Sequence, residues 1–300
     1  MIRWSLVFVI FFVGGTTVFA QDAPRWKFAA DSELRYEVVQ KTKFKVNAEQ
    51  AGAFASLASQ TLNVLWRIES VDDSGTMTAT QVVERIRVNI KQAGGLEMVY
   101  DSDADEIPAG LAAMLTPMFE SLLDNEVTVV VTARGEVQEV KLPEKMEKRL
   151  SGLPATRPMS DLLTGSGLRR VAEQIALLLP AEGEDSSVRE FDIKNRVLGK
   201  LTGELTWKAA GTEGDLHKFE PAIKLSVSPD KNAEEDPYLP VKPLADPKLT
   251  QQTATGSAEF DAAAGRLTKS KLELNLTLTG ELMGAGVESN VEQTVEVTAK

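Results

Sequence analysis

Cysteine is absent from this chain of 300 residues, and histidine occurs once, at His217. The first absence removes disulfides, thiol nucleophiles and thiolate metal sites. The second leaves no histidine metal cluster and a single candidate base for a serine triad. Aromatic residues make up 6% of the sequence, and no cluster of Lys and Arg is interleaved with them. The formal charge is −11. Nucleic acid and anionic membrane surfaces are therefore disfavoured as partners, because both are recognised through a basic footprint.

The one marked apolar run is too short for an ordinary membrane span. MIRWSLVFVIFFVGGTTVFA couples a positive charge at Arg3 to an apolar stretch from Leu6 to Val13, with small residues at Val18 and Ala20 ahead of Gln21. This is the pattern of a secretory signal peptide. Cleavage is expected after Ala20, leaving 280 residues (300 − 20) with a charge of −12 (−11 less Arg3). The product is expected to be exported, periplasmic or extracellular, with no stable membrane insertion after cleavage. No cysteine follows the apolar core, so a lipid-modified N-terminus is excluded. With no disulfides, stability must come from burial, and the chain is long enough for one large core or two moderate ones.

From Glu33 onward the hydrophobicity alternates with period two, the mark of strands with one buried face. In ELRYEVVQKTKFKV, Leu34, Tyr36, Val38, Phe44 and Val46 share one face and Arg35, Glu37, Lys41, Lys43 and Lys45 the other. TLNVLWRIESV repeats the pattern through Leu62, Val64, Trp66 and Ile68, and DDSG at residues 72–75 supplies turn chemistry. A third strand is expected to place Val82, Glu84, Ile86, Val88 and Ile90 on one side before the turn AGG at 93–95. The alanine-rich stretch AEQAGAFASLASQ shows no clear period.

The period then changes. Pro108 suits a first helical position, and Leu111, Leu115, Met118, Phe119 and Leu122 recur at helical spacing, with Pro117 expected to kink or divide the helix. EVTVVVTARGEVQEVKL reads as a hairpin turning at Arg134 and Gly135. A second helical block, about 161–179, carries an apolar stripe of Leu168, Val171, Ala172, Ile175, Leu178 and Leu179. Strands resume from Arg189, and KLELNLTLT alternates throughout; the run from 229 to 247 is proline-rich and reads as an exposed loop. The expected fold is α+β, predominantly β: curved antiparallel sheet of long strands packed against two or three helices from the middle of the chain. The expected organisation is a signal peptide at 1–20, an N-terminal β-rich half at 21–141 with a helix at 108–124, a helical connection at 142–188, and a C-terminal antiparallel half at 189–300 with the loop 229–247.

YDSDADEIP before an apolar helix, VTVVVTARGEVQEV, and GSAEFDAAAGRLTKSKLEL together resemble a family of exported bacterial proteins known as a domain of unknown function. The resemblance covers most of the expected mature chain and implies no particular catalytic or binding residue. More distantly, helices against a curved antiparallel sheet are similar in architecture to the periplasmic lipoprotein carriers.

The most pointed chemical motif is the acidic alternation Asp101, Asp103, Asp105. It matches the first, third and fifth ligands of a helix-loop-helix calcium site, but Glu106 stands where the loop needs glycine and Ala112 where it needs a bidentate glutamate. The plain alternative is an acidic entrance to a helix. His217 lies on an expected strand with no G-x-S-x-G elbow in the chain, and Gly165-Ser166-Gly167 lacks the lysine of a phosphate loop. Glu190, Asp192 and Glu204 are candidates for a glycosidase carboxylate pair, with Trp66 and Trp207 as candidate sugar platforms, although strand tryptophans default to the core.

Three classes remain open. The first is a non-enzymatic envelope or periplasmic binding module for an apolar small molecule or an envelope protein, with Leu168, Val171, Ile175 and Leu178 as candidate lining. The second is a carbohydrate-active enzyme using only carboxylates. The third is a structural envelope component without ligand. No cofactor is expected.

Overall fold

The computed structural model describes residues 23–48, 52–95, 97–105, 108–123, 125–152, 165–195, 199–229, 244–282 and 285–300. The expected signal peptide and most of the proline-rich run lie outside these residues. The elements are β1 (Glu33–Ala48), β2 (Gly52–Val71), β3 (Met77–Gln92), β4 (Glu97–Asp101), α1 (Leu111–Glu120), β5 (Val127–Val131), β6 (Val137–Lys141), α2 (Glu144–Gly152) and α3 (Gly165–Ile175). The second half of the chain adds β7 (Ser186–Asn195), β8 (Gly199–Glu213), β9 (Leu216–Ser228), β10 (Ala245–Asp261), β11 (Arg266–Leu282) and β12 (Ala285–Ala299).

Among the described residues all strands belong to one sheet of 12, in the order β6-β5-β3-β2-β1-β12-β11-β10-β9-β8-β7, with β4 beside β3. The ladders between these strands are antiparallel. The halves of the chain therefore join in the middle of the sheet, where β1 pairs with β12 from Tyr36↔Ala299 to Ala48↔Val287. The turns follow local chemistry. Asp72 Oδ1 accepts hydrogen bonds from the backbone N–H groups of Ser74 and Thr76, and Gly135 closes the β5–β6 hairpin at φ 84°.

Several boundaries differ from the sequence expectation. From Gly52 on, the alanine-rich stretch is strand, because Gly52 to Gln60 pairs rung by rung with β1. The first helix begins at Leu111 behind Gly110, so Pro108 precedes it, and it ends at Glu120, just beyond Pro117. The second helix ends at Ile175; Leu177 and Leu179 then take buried positions in an extended segment, while Leu178 is half-buried. The end of the proline-rich run enters strand β10, in which Pro247 is buried, and Leu244 just ahead of it is buried too. In β3 the register jumps from Asn63↔Arg85 to Val64↔Val83, leaving Glu84 as the extra residue of a bulge. The bulge moves Glu84 off the inner row, where Val83 replaces Val82, and leaves its carboxylate 3.5 Å from Arg35.

One face of the sheet, here the inner face, packs against the helices. Tyr36, Val38, Leu62, Trp66, Ile86 and Val129 meet Leu168, Val171, Ala172 and Ile175 of α3 and Leu115, Met118 and Phe119 of α1 in one core. The amphipathic stripe of α3 thus covers the apolar side of the strands, as one-sided patterns on both elements require. Gln81 bridges them: it accepts from Trp66 Nε1 at 2.9 Å and donates to Leu168 O at 3.5 Å.

At one end the sheet curls until its first and last strands approach. Arg189, on the edge strand β7, donates to Gly135 O in the β5–β6 turn at 3.2 Å, to Ala176 O at 2.9 Å and to Glu173 O. Burial pushes its pKa below the ordinary arginine value, with Glu173 and Glu136 opposing the shift. A segment ahead of β1 fastens the same end. Trp26 N–H donates to Ala133 O at 2.8 Å, Trp26 Nε1 to Leu177 O at 3.0 Å, and Lys27 N–H to Gly265 O at 2.9 Å. The Trp26 ring stacks on Phe28 and meets Phe260 edge-on.

Candidate functional site

The opposite end of the inner face has no comparable closure among the described residues. There the alternation of β1, β11 and β12 presents Phe44, Val46, Leu276, Leu278, Val287 and Val291, forming a second apolar cluster separate from the helix-covered core. Leu201 and Leu225 of β8 and β9, and Leu244, belong to it. Many members are only half-buried, and Phe54, across from Val46 on β2, is 42% exposed.

A break in the sheet borders this cluster. β9 and β10 pair over four rungs, from Leu216↔Asp261 to Phe219↔Ala258, and no further. Extending that register by two rungs sets Pro221 opposite Gly256. Pro221 has no N–H to give, and Gly256 sits at φ 144° against the backbone of Lys271, where a Cβ would come 2.0 Å from the carbonyl oxygen. Beyond the break, Leu225 N–H donates instead to the side chain of Gln252 at 2.7 Å, from the residue that would have been its ladder partner. Strands β7 to β9 thus form a leaf tied to the main sheet by a short ladder and a side-chain latch.

Between the helix-covered core and the apolar end, the inner face is uncharged and carries polar side chains among apolar ones, with Val295 and Leu272 level with Gln40 and Ala58 and Leu274 level with Thr42. Gln40 pairs across to Gln60 on β2, and Thr42, two residues on, pairs across to Gln293 on β12. All four side chains are half-buried and none makes a side-chain hydrogen bond among the described residues. Ser289, on the same face of β12, is 1% exposed, and its hydroxyl has no partner among the described residues. The inner-face positions of β1, β2, β11 and β12 hold no Asp, Glu, Lys or Arg. The charges of these strands lie on the outer face, as in Lys43–Glu292 at 3.0 Å and Lys271–Glu273 at 2.7 Å.

The residues singled out by sequence fall elsewhere. Leu168, Val171 and Ile175 are buried in the first core, and Leu178 is half-buried beyond α3. Asp101 ends β4, where Arg85 holds it with two nitrogens at 2.9 to 3.1 Å and Arg87 with one at 2.9 Å. Hydrogen bonding to the Arg85 guanidinium, with Arg87 and the Asp103 N–H adding to it, takes the Asp101 pKa down to about 2 against the penalty of burial. Asp103 also pairs with Arg85, at 3.0 Å, and Asp105 is exposed. The two carboxylates nearest a calcium geometry are thus committed to arginines. Glu190 and Glu204 stand opposite each other on β7 and β8, but both are exposed on an open strand surface, and Asp192 is paired with Lys200 at 2.7 Å. Trp66 and Trp207 are core residues. His217 is half-buried on β9, and desolvation lowers its pKa against the pull of Asp215.

The polar belt escapes sequence reading because each of its residues looks like a lapse in an apolar alternation. Gln40 and Thr42 interrupt the row Tyr36, Val38, Phe44, Val46, and only the register shows that Gln60 and Gln293 interrupt neighbouring rows at the same level.

No family model matches this chain, and no curated protein matches it in sequence. Among solved structures, lipovitellin, described for its lipid–protein interactions, superposes with a TM-score of 0.51 at 10% identity, covering 91% of this chain and 25% of lipovitellin. The chain thus spans about a quarter of that protein's length, and the likeness shows a shared fold. A lipoprotein-sorting protein domain from Vibrio parahaemolyticus superposes with a TM-score of 0.12 at 8% identity, over 86% of this chain and 83% of that one. A DUF1329 family protein from Desulfovibrio piger reaches 0.13 at 8% identity with the same coverages. Superpositions at that level carry no weight. No helix among the described residues is long and apolar enough to cross a membrane.

Proposed function

We propose that this chain is an exported, non-enzymatic binding module for an apolar ligand, which lies on the inner face at the open end of the sheet. One observation carries the reading: the inner surface there is continuous, apolar and uncharged, yet only half covered, with Phe44, Val46, Leu249, Leu274 and Val291 packed around the second cluster and Phe54 in the open. Soluble proteins bury such a surface unless a ligand or partner covers it. The fold shared with part of lipovitellin supports lipid as the ligand class. Export rests on the signal pattern of residues 1–20. The α3 stripe serves as core, so the ligand surface belongs to the strands.

Mass spectrometry of an organic extract of the purified protein should reveal co-purifying lipid. Delipidated protein should bind the neutral dye Nile red, and Phe44→Glu should weaken that binding about tenfold, or ~1.4 kcal/mol, by setting a charge in the lining. An empty extract together with equal dye affinity in both proteins would overturn the proposal.

A further inference from the structure

The apolar end explains affinity for hydrocarbon, but it leaves the belt above it without a role. Gln40, Thr42, Gln60 and Gln293 lie on one face in two cross-strand pairs, Gln40 with Gln60 and Thr42 with Gln293, offset by two residues along β1. Directly opposed residues on a sheet face sit about 5 Å apart at Cβ, and i, i+2 neighbours about 7 Å, so the two pairs adjoin along β1, while Gln60 and Gln293, on its two sides, stand roughly 12 Å apart and engage different carbonyls of one lipid. Three carboxamides and a hydroxyl offer both donors and acceptors. They have no protein partner among the described residues, and no formal charge stands on the inner face of the four central strands. Ser289 adds a further polar group on β12, level with Val46 and Leu278 in the apolar end. A hydroxyl that is 1% exposed and unpartnered, four residues from Gln293, is a polar group left unsatisfied within an apolar wall.

Such a surface selects by chemistry. A free carboxylate or phosphate would lose its hydration and meet no cation, whereas a hydrocarbon would leave the amides without hydrogen bonds. The group that suits both neighbours is a neutral carbonyl flanked by apolar chain. We propose that the Gln40–Thr42–Gln60–Gln293 belt is a subsite for the ester carbonyls of a neutral acyl lipid, whose chains extend over Phe44, Val46, Leu276 and Val291. This rests on the apolar-ligand reading above and names its substrate class.

The test measures binding of three probes to delipidated full-length protein: a diacylglycerol, the dialkyl ether glycerol of matched chain length, and the free fatty acid of that length. The ester should bind roughly 5- to 10-fold more tightly than the ether, the range expected for one or two neutral hydrogen bonds. The triple variant Gln40→Leu, Gln60→Leu, Gln293→Leu should erase that preference while keeping affinity for the ether. Should the triple variant fold poorly, Gln40→Met and Gln293→Met separately, compared at equal melting temperature, must each reduce the ester-to-ether ratio. Equal binding of ester and ether by the wild type, or a preference for the fatty acid over both, overturns the subsite while leaving the apolar-ligand reading standing. Failure of all three probes to bind overturns both.

Discussion

Replacing Gly135 by alanine tests how the closed end of the sheet is held. Gly135 turns at φ 84°, and a Cβ built there would stand 2.1 Å from Leu177 O and 2.7 Å from Trp26 Nε1. These two atoms are the acceptor and donor of the hydrogen bond that seats Trp26. Gly95 provides a matched control, because its φ is 85° and nothing lies within 4 Å of its Cβ position. Both substitutions place alanine in the left-handed region, at a cost of about 1–2 kcal/mol each. Both reduce the freedom of the unfolded chain equally, so that contribution cancels in the comparison. Only Gly135→Ala must also displace Leu177 or Trp26, losing a buried hydrogen bond worth about 1 kcal/mol and part of the packing of a buried indole, for a total near 4 kcal/mol. Urea unfolding followed by far-ultraviolet circular dichroism reads global stability independently of the tryptophan signal. If the two variants fall within about 0.5 kcal/mol of each other, the turn is not braced against Trp26 and Leu177, and the account of the closed end fails.

Arg189→Met should lose about 3–4 kcal/mol in the same assay, because it leaves the carbonyls of Glu173, Ala176 and Gly135 without their donor; Arg189→Lys should recover less than half, since an ammonium cannot fork as a guanidinium does. A lysine variant as stable as the wild type would refute the bridging role. Asp101 contributes to acid stability: its folded pKa of about 2 lies below its ordinary 3.8, so its contribution is present above about pH 4 and is lost as pH falls toward 2. Solvent at the half-exposed Arg87 reduces that contribution to about 1–2 kcal/mol, and Asp101→Asn should flatten the slope over this window in urea titrations at fixed pH, leaving the part owed to Asp72, Glu213 and Glu273. An unchanged slope in the variant would show that other groups set it.

The strands were the most legible part of the chain, because residues such as Tyr36, Val38, Leu62 and Trp66 declare their face two positions at a time and the covered face is nearly unbroken. The stripe of α3 was legible for the same reason at helical spacing. The bulge at Glu84 was hidden, since an inserted residue changes no composition and is visible only against the partner strand. Trp26 was hidden because its partners, Ala133, Leu177 and Phe260, are more than a hundred residues away along the chain. The candidate site was the least legible, because its four polar residues acquire meaning only through the β1–β2 and β1–β12 registers. Those pairings connect segments whose sequence patterns carry no information about each other.

The marriage of β1 to β12 has a consequence for how the chain is made. Tyr36 waits for Ala299, and thirteen rungs of the central ladder depend on a strand more than 200 residues further along the chain. Contacts of such sequence separation form slowly, and N-terminal parts that fold early must do so without them. Until β12 arrives, the nascent chain holds two half-sheets with open edges at β1 and β11, each able to pair with a stranger. A central ladder that cannot close until β12 is made leaves the two half-sheets unjoined through most of the synthesis of these residues.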